Sequence, residues 1–300
     1  MNILLFGAGA IGSLFGALLS EKNNVMLIGR KPHVSAIKKN GLKIVGQTTK
    51  TVKIQAELPK KKRDFLADLL ILTVKSYDTK KAIREAMPYI SDNTIILSFQ
   101  NGLDNLEKIK KVVDKNKVIA GVTTHGALFC QPGIIEHTGR GWTVIGELHG
   151  EKTGHIKEFV NAFNEVGIET KASDNIIQDM WSKCIINSSI NPLTAFLGCK
   201  NGYLMQNPVL SSLVEKICSE STSVANAYGI QLSIGEMVDK TKKVIRDTKH
   251  NYSSMLQSIQ RGRQTEIDSI NGYIANHGKK MDVDVFLNNI LVHLIQSLEH

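Results

Sequence analysis

A short apolar run, Asn2 to Phe6, passes directly into Gly7-Ala8-Gly9-Ala10-Ile11-Gly12, and Ala10 to Leu19 is small, apolar and helically spaced. A strand here must turn tightly into a helix that packs back on it. The first glycine permits the turn, the second lets a pyrophosphate approach the backbone, and the third lets helix pack on strand. The helix N-terminus then offers N–H groups and partial positive charge to phosphate. Alone the motif is common. Placed after a strand and opening a repeating strand–helix pattern, Gly7, Ala8, Gly9, Ala10, Ile11 and Gly12 read as a dinucleotide-binding turn.

That pattern continues. Val25 to Ile28, Leu69 to Val74, Thr94 to Leu97 and Val118 to Thr124 are β runs, with helical stretches at Thr79 to Met87 and Leu103 to Val112. Continuous apolar strands alternating with helices predict a parallel sheet covered on both faces. Gly133 to His137 and Trp142 to Ile145 predict an antiparallel hairpin added to that sheet. After Ser173 the β runs stop. Asp174 is a plausible N-cap, and Ile176, Ile177, Met180, Trp181, Cys184 and Ile185 recur at helical spacing. Amphipathic segments follow at Leu210 to Tyr228, Ile234 to Thr248, Ser253 to Gln260, Glu266 to His277 and Val285 to Leu298. The expected fold is α/β: a Rossmann-type doubly wound parallel sheet at 1–173, then an all-helical substrate and dimerisation domain at 174–297. The last tripeptide, 298–300, reads as the stub of an expression tag and is set aside.

Composition narrows the partners. Lys plus Arg is 37 against 28 for Asp plus Glu, a net charge of +9. Such a surplus favours anionic partners. Nucleic acid is not expected, because aromatics are only 6% and the Lys60-Lys61-Lys62-Arg63 run reads as a solvated loop. No apolar run reaches the roughly 18 residues of a membrane span, and the start lacks a signal peptide's basic region. Cys130, Cys184, Cys199 and Cys218 form no C-x-x-C pair, and no His stands at ligand spacing from them. Free thiols, no metal and a cytoplasmic location are expected.

Two further features bear on chemistry. The second strand ends Ile28-Gly29-Arg30-Lys31, with a guanidinium where a carboxylate would hold a ribose 2′-hydroxyl. Arg30 suits a 2′-phosphate, so NADP is the expected cofactor. Lys183, Asn187 and Asn191 are spaced i, i+4, i+8 and make one polar stripe beside Trp181, Cys184 and Ile185. A solvent face would carry several charges, and this one has one. A buried lysine and two amides are costly unless something polar meets them, as a substrate carbonyl, a carboxylate or a nicotinamide amide would. Pro192 is expected to kink or interrupt the helix.

The segment Lys183-Cys184-Ile185-Ile186-Asn187-Ser188-Ser189-Ile190-Asn191-Pro192-Leu193-Thr194-Ala195 resembles the central signature of the 2-dehydropantoate 2-reductases, or ketopantoate reductases. Val74-Lys75, Gln100-Asn101-Gly102, Gly121-Val122-Thr123-Thr124-His125 and His137-Thr138-Gly139-Arg140-Gly141 agree in the family's order, as do Asn201-Gly202, Ser253 to Gln257 and Thr265 to Gly272. The resemblance spans about residues 1–278 and departs at Lys279 to Leu287, where Met281-Asp282-Val283-Asp284-Val285 replaces an expected Pro-x-Asn-type turn.

The resemblance implies NADPH-dependent reduction of 2-dehydropantoate to (R)-pantoate, in pantothenate and coenzyme A biosynthesis. It implies Lys183 as general acid, and Asn187, Asn191, Asn201 and Ser254 around the substrate. Arg30, Lys75 and Asn101 would hold the cofactor, and Glu266 would face the cofactor or the nascent hydroxyl. Read singly, Lys75 is a snorkelling lysine, Asn101-Gly102 a turn, Ser254 a helix cap and Glu266 a surface ion-pair partner of Arg261 or Arg263. His125 and His137 read as loop or core histidines. The competing readings are a related NADP-dependent reductase of another 2-oxo acid or a β-hydroxy acid, and a non-catalytic NADP-binding protein. Any homodimer is expected to form through the helical domain.

Overall fold

The computed structural model describes residues 1–60, 65–150 and 153–299. Lys61, Lys62 and Arg63 of the basic run, and His300, lie outside the described residues. The chain divides into two compact units. One comprises Met1–Gln100 and Asn105–Ile176, the other Asn101–Asp104 and Ile177–His300.

Among its described residues the first unit holds twelve strands and five α-helices, besides three short 3-10 turns. In chain order they are β1 (Asn2–Phe6), α1 (Ala10–Leu19), β2 (Asn24–Ile28), α2 (Lys31–Asn40), β3 (Leu42–Gly46), β4 (Lys50–Val52), β5 (Gln55–Glu57) and β6 (Ala67–Leu72). Then come α3 (Thr79–Ala86), β7 (Ile90–Ser98), α4 (Asn105–Lys110), β8 (Val118–Thr123), β9 (Gly126–Gln131), β10 (Ile134–Gly139), β11 (Thr143–Glu147), α5 (Gly154–Asn164) and β12 (Thr170–Ala172). Eight strands form the main sheet in the order β12-β11-β8-β7-β6-β1-β2-β5. Its neighbours are parallel except β11 against β8. Ile3, Leu5, Leu27, Leu69 and Ile71 are buried in one core with Leu14 and Phe15 of α1. From β1 the chain steps outward to β2 and β5 on one side, then to β6, β7 and β8 on the other. Ligands bind at such a reversal, outside the carboxyl ends of the strands. Here those ends are Gly7 and Thr73.

The expected 133–145 hairpin does not form. β10 pairs antiparallel with β9 and parallel with β3, in a second sheet of order β4-β3-β10-β9, whereas β11 joins the main sheet against β8. The sequence hid β9 because none of its residues is fully buried, so it carries no apolar alternation.

The second unit is helical: α6 (Ile176–Leu197, beginning one residue before it), α7 (Tyr203–Gln206), α8 (Pro208–Ala227), α9 (Ile234–Asp247), α10 (Ser254–Ile259), α11 (Asn271–Lys280) and α12 (Phe286–Gln296). Trp181, Cys184 and Ile185 pack with Val224, Leu256 and Ile274. Two expectations need correcting. The segment read as helical from Glu266 begins with a single 3-10 turn, Ile267–Ser269, and α11 starts only at Asn271. Pro192 does not interrupt α6, which runs 22 residues with the proline inside. Its missing N–H should orphan the carbonyl four residues back, and Asn271 Nδ2 donates to that Ser188 oxygen at 3.1 Å. In the divergent 279–287 segment, Asp282 at φ 55° makes the turn between α11 and α12.

Among the described residues no helix is long and apolar enough to cross a membrane. Nor does any His, Cys, Asp and Glu group among them suit a metal ion. All four cysteines are free.

Candidate active site

In the first unit the glycines do three different things. Gly7 has φ +114°, and a Cβ there would lie 2.6 Å from Val74 N, so only glycine fits beside the end of β6. A Cβ on Gly12 would strike Gly7 O and Thr73 Oγ1. Thr73 Oγ1 already donates to Gly7 O at 2.7 Å, which pins the turn. Gly9 is different. The nearest atom to a Cβ there is Gly7 O at 3.9 Å, so the space in front of it is open. α1 begins at that point with no side-chain cap and no acidic residue in its first turn. Its amide groups therefore have no local carboxylate to satisfy them. A dinucleotide's pyrophosphate fits this cradle by shape and charge.

Arg30 stands at the N-cap of α2 with its side chain largely exposed. Its guanidinium is 3.3 Å from Asp78 Oδ2, a surface pair of little net energy that a phosphate can displace. Across the sheet from Ile28 lies Glu57 of β5. Lys38 at 2.9 Å and Lys60 at 3.6 Å bind that carboxylate, and Lys38 leads in holding it below its usual range. Lys75 is half-buried just beyond β6. Gln100 Nε2 fixes its surroundings by donating to Val74 O at 3.0 Å and Thr79 Oγ1 at 2.7 Å.

In the second unit α6 carries the polar stripe. Asn191 is 7% exposed, and Lys183 and Asn187 are half-buried. Among the described residues, no hydrogen bond engages the heads of Lys183, Asn187 or Asn191. Three polar heads on one side of a packed helix thus make no hydrogen bond among the described residues. Burial lowers the Lys183 ammonium to about 8, against the opposing pull of Glu266. The neighbouring Cys184 thiol is pushed up to about 12 by burial, which makes it packing material and not a nucleophile.

The structure brings Glu266, Asn101 and the start of α10 to this stripe. Glu266 is buried rather than on the surface, and Asn101 Nδ2 is 3.4 Å from its Oε2. Asn101 is held by the Gly102 turn at φ +89°, where a Cβ would lie 2.6 Å from that of Ser269. Ser253, not Ser254, caps α10: its Oγ accepts from Leu256 N at 3.2 Å. Ser254 is exposed, so its hydroxyl is left for other work. Ser253 Oγ also accepts from Thr194 Oγ1 at 2.8 Å and lies 3.5 Å from Asn191 O, which ties the start of α10 to the stripe. Asn201 is buried, and its Nδ2 donates to Thr248 Oγ1 at 2.9 Å. Its Oδ1 is buried without a hydrogen-bond partner among the described residues.

His125 and His137 are buried in the first unit. His137 contacts Thr48 Oγ1 at 3.0 Å and Gly139 O at 3.1 Å. Burial drives His125 down to about 4 and lowers His137. They are neutral core groups at physiological pH. Sequence reading gave no role to Thr73, Ser253 or Asn271. The signal for Asn271 was Pro192, whose orphaned carbonyl needed a donor from outside the helix.

Comparison with known proteins agrees with this layout. Residues 3–150 match the family described as "Ketopantoate reductase PanE/ApbA", and residues 175–299 match its C-terminal counterpart. A 2-dehydropantoate 2-reductase of Pyrococcus abyssi is 41% identical over 302 residues, covering 100% of this chain and 98% of that one. A PanE/ApbA family ketopantoate reductase from Ralstonia eutropha superposes with a TM-score of 0.90 at 29% identity, covering 100% of this chain and 98% of that one. D-mandelate dehydrogenase, solved with NADH and anilino(oxo)acetate, gives a TM-score of 0.95 at 29% identity with the same coverage.

Proposed function

Since the chain belongs to the ketopantoate reductase family, we propose that it reduces 2-dehydropantoate to (R)-pantoate with NADPH. The observation that carries this reading is the stripe of Lys183, Asn187 and Asn191 on α6, whose heads make no hydrogen bond among the described residues. Reducing a 2-oxo acid requires an acid at the carbonyl oxygen and donors for a carboxylate, and this stripe supplies both.

A bound nicotinamide dinucleotide supplies the hydride. The amides around Gly7 to Gly12 bind its pyrophosphate, Arg30 its 2′-phosphate, and Lys75 and Asn101 its ribose side. Asn187, Asn191 and Ser254 hold the substrate's carboxylate and hydroxyl, with Asn201 nearby. Lys183 gives its proton from Nζ to the carbonyl oxygen as that oxygen gains charge. An ammonium near 8 is a better acid at neutral pH than one at the ordinary 10.5. Glu266 favours the charged, proton-carrying form and so keeps the acid loaded. Free thiols support a cytoplasmic location.

The likeness to D-mandelate dehydrogenase favours one second reading, a reductase of another 2-oxo acid with NADH. NADPH and NADH oxidation with 2-dehydropantoate, set against aryl and branched aliphatic 2-oxo acids, separates the two. Preference for 2-dehydropantoate and NADPH supports the proposal. A higher kcat/KM for an aryl 2-oxo acid with NADH overturns it.

A further inference from the structure

We infer that Asn271 is a positioning residue for the substrate stripe, standing in for the backbone donor that Pro192 removes. The inference rests on the reading of Asn187 and Asn191 as substrate ligands.

Pro192 follows Asn191 directly, and its ring nitrogen cannot donate to Ser188 O. A buried carbonyl left open costs free energy and invites the helix to bend away from its axis. α6 nevertheless runs on from Ile176 to Leu197. The defect takes the helical N–H from one carbonyl, Ser188 O, while other carbonyls of α6 meet hydroxyls of the helix itself. Ser188 and Ser189 hydroxyls both donate to Ile185 O at 2.8 Å, and Thr194 Oγ1 donates to Ile190 O and Asn191 O at 3.0 Å. All three belong to α6 itself. Asn271 comes from another helix, and Ser188, whose carbonyl it takes, lies between the two amides of the stripe.

The amide of Asn271 cannot turn round. Glu220 accepts from Leu287 N at 3.0 Å, Asn288 N at 2.8 Å and Asn288 Nδ2 at 2.7 Å. Asn288 therefore presents its Oδ1 inward and accepts from Asn271 Nδ2 at 2.9 Å. The same Nδ2 donates to Ser188 O at 3.1 Å. Flipping Asn271 would set its oxygen against two acceptors. In this orientation its own Oδ1 is buried with no hydrogen-bond partner among the described residues. A side chain selected for packing alone has no reason to bear that cost, and a donor required at one carbonyl does. Lys183 is more than a turn earlier, in the half of α6 anchored by Trp181, Cys184 and Ile185. Asn271 therefore governs the amides more than the acid.

The test is a double-mutant cycle on the whole enzyme. Pro192→Ala gives Ser188 O its own helical N–H, so Asn271 should matter less in that background. KM and kcat for the 2-oxo acid that the wild type reduces, and NADPH affinity, are measured for wild type, Asn271→Ala, Pro192→Ala and the double variant. Asn271→Ala should raise KM about tenfold, with kcat and NADPH affinity within about twofold. The double variant should regain most of that loss. If Asn271→Ala does not fold, Asn271→Ser, which keeps a shorter donor, takes its place in the cycle. An equal KM rise in both backgrounds, or a loss confined to kcat, overturns the inference and leaves the functional proposal standing. A wild type that reduces no 2-oxo acid overturns both.

Discussion

Lys183 illustrates what one residue reveals in the sequence and what it withholds. Its spacing with Asn187 and Asn191, and the lack of other charges on the stripe, marked it as more than a surface lysine. The direction of its titration was not legible, because burial and Glu266 act oppositely and only coordinates weigh them. Burial wins, and the ammonium titrates at about 8. The acid works only while protonated. The free enzyme's kcat/KM should therefore hold below pH 8 and fall as pH rises through it. Glu266→Gln removes the group that favours the charge, so that limb should move to lower pH. A limb unmoved in Glu266→Gln would separate Glu266 from the acid. Lys183→Ala should lower kcat by about 10²–10⁴-fold, and Lys183→Arg should not restore it, because a guanidinium holds its proton too firmly. A near wild-type kcat for Lys183→Ala at saturating substrate would remove Lys183 from the reaction. Arg30 makes a separate prediction. Its pair with Asp78 is exposed and weak, so Arg30→Ala should barely change stability while weakening NADPH binding far more than NADH binding. Equal losses for both cofactors would show that Arg30 does not read the 2′-phosphate.

At the scale of elements, local pattern identified what local forces decide. β1, α1 and the turn between them were legible because continuous burial and three glycines leave few alternatives. The 133–145 segment was misread because pairing partners are set by distant strands, and β9 shows no alternation. The sequence predicts a kink or an interruption at Pro192; α6 is not interrupted, and the donor that meets the freed carbonyl lies 83 residues away in sequence. The first turn yields a prediction that separates fold from function. Gly12→Ala must push its Cβ into Gly7 O and Thr73 Oγ1, so it should lower the melting temperature and cofactor affinity together. Gly9→Ala meets no protein atom closer than 3.9 Å, so it should fold with a near wild-type melting temperature and lose cofactor affinity. Calorimetry with and without NADPH reads both quantities. A Gly9→Ala variant that binds NADPH normally would mean that the pyrophosphate does not lie against this turn.

At the scale of the whole molecule, the excursion of Asn101–Asp104 into the helical unit was not legible, since Gly102 is held by Ser269 across a long stretch of chain. Net charge was fully legible and acts without regard to fold. The chain carries +9, and many of its acidic groups sit in exposed pairs such as Lys22 with Glu165 and Lys81 with Glu85. Such pairs add little stability, and the unpaired cations set the long-range field. A 2-oxo acid and a dinucleotide phosphate are both anions, so this field should speed their encounter with the protein. Salt shortens its reach from about 10 Å at 0.1 M to about 3 Å at 1 M. Across that range kcat/KM should fall for both ligands, and more for NADPH than for the singly charged oxo acid. The turnover number at saturation should change less, because the proposed proton donation from Lys183 would occur between groups already in contact and screened from bulk ions. Initial rates at stepped salt concentrations, with one ligand saturating and the other varied, measure each effect separately. If kcat/KM for NADPH stays flat from 0.1 to 1 M, the positive surplus does not steer the cofactor, and Arg30 and the turn amides bind it by short-range contact alone.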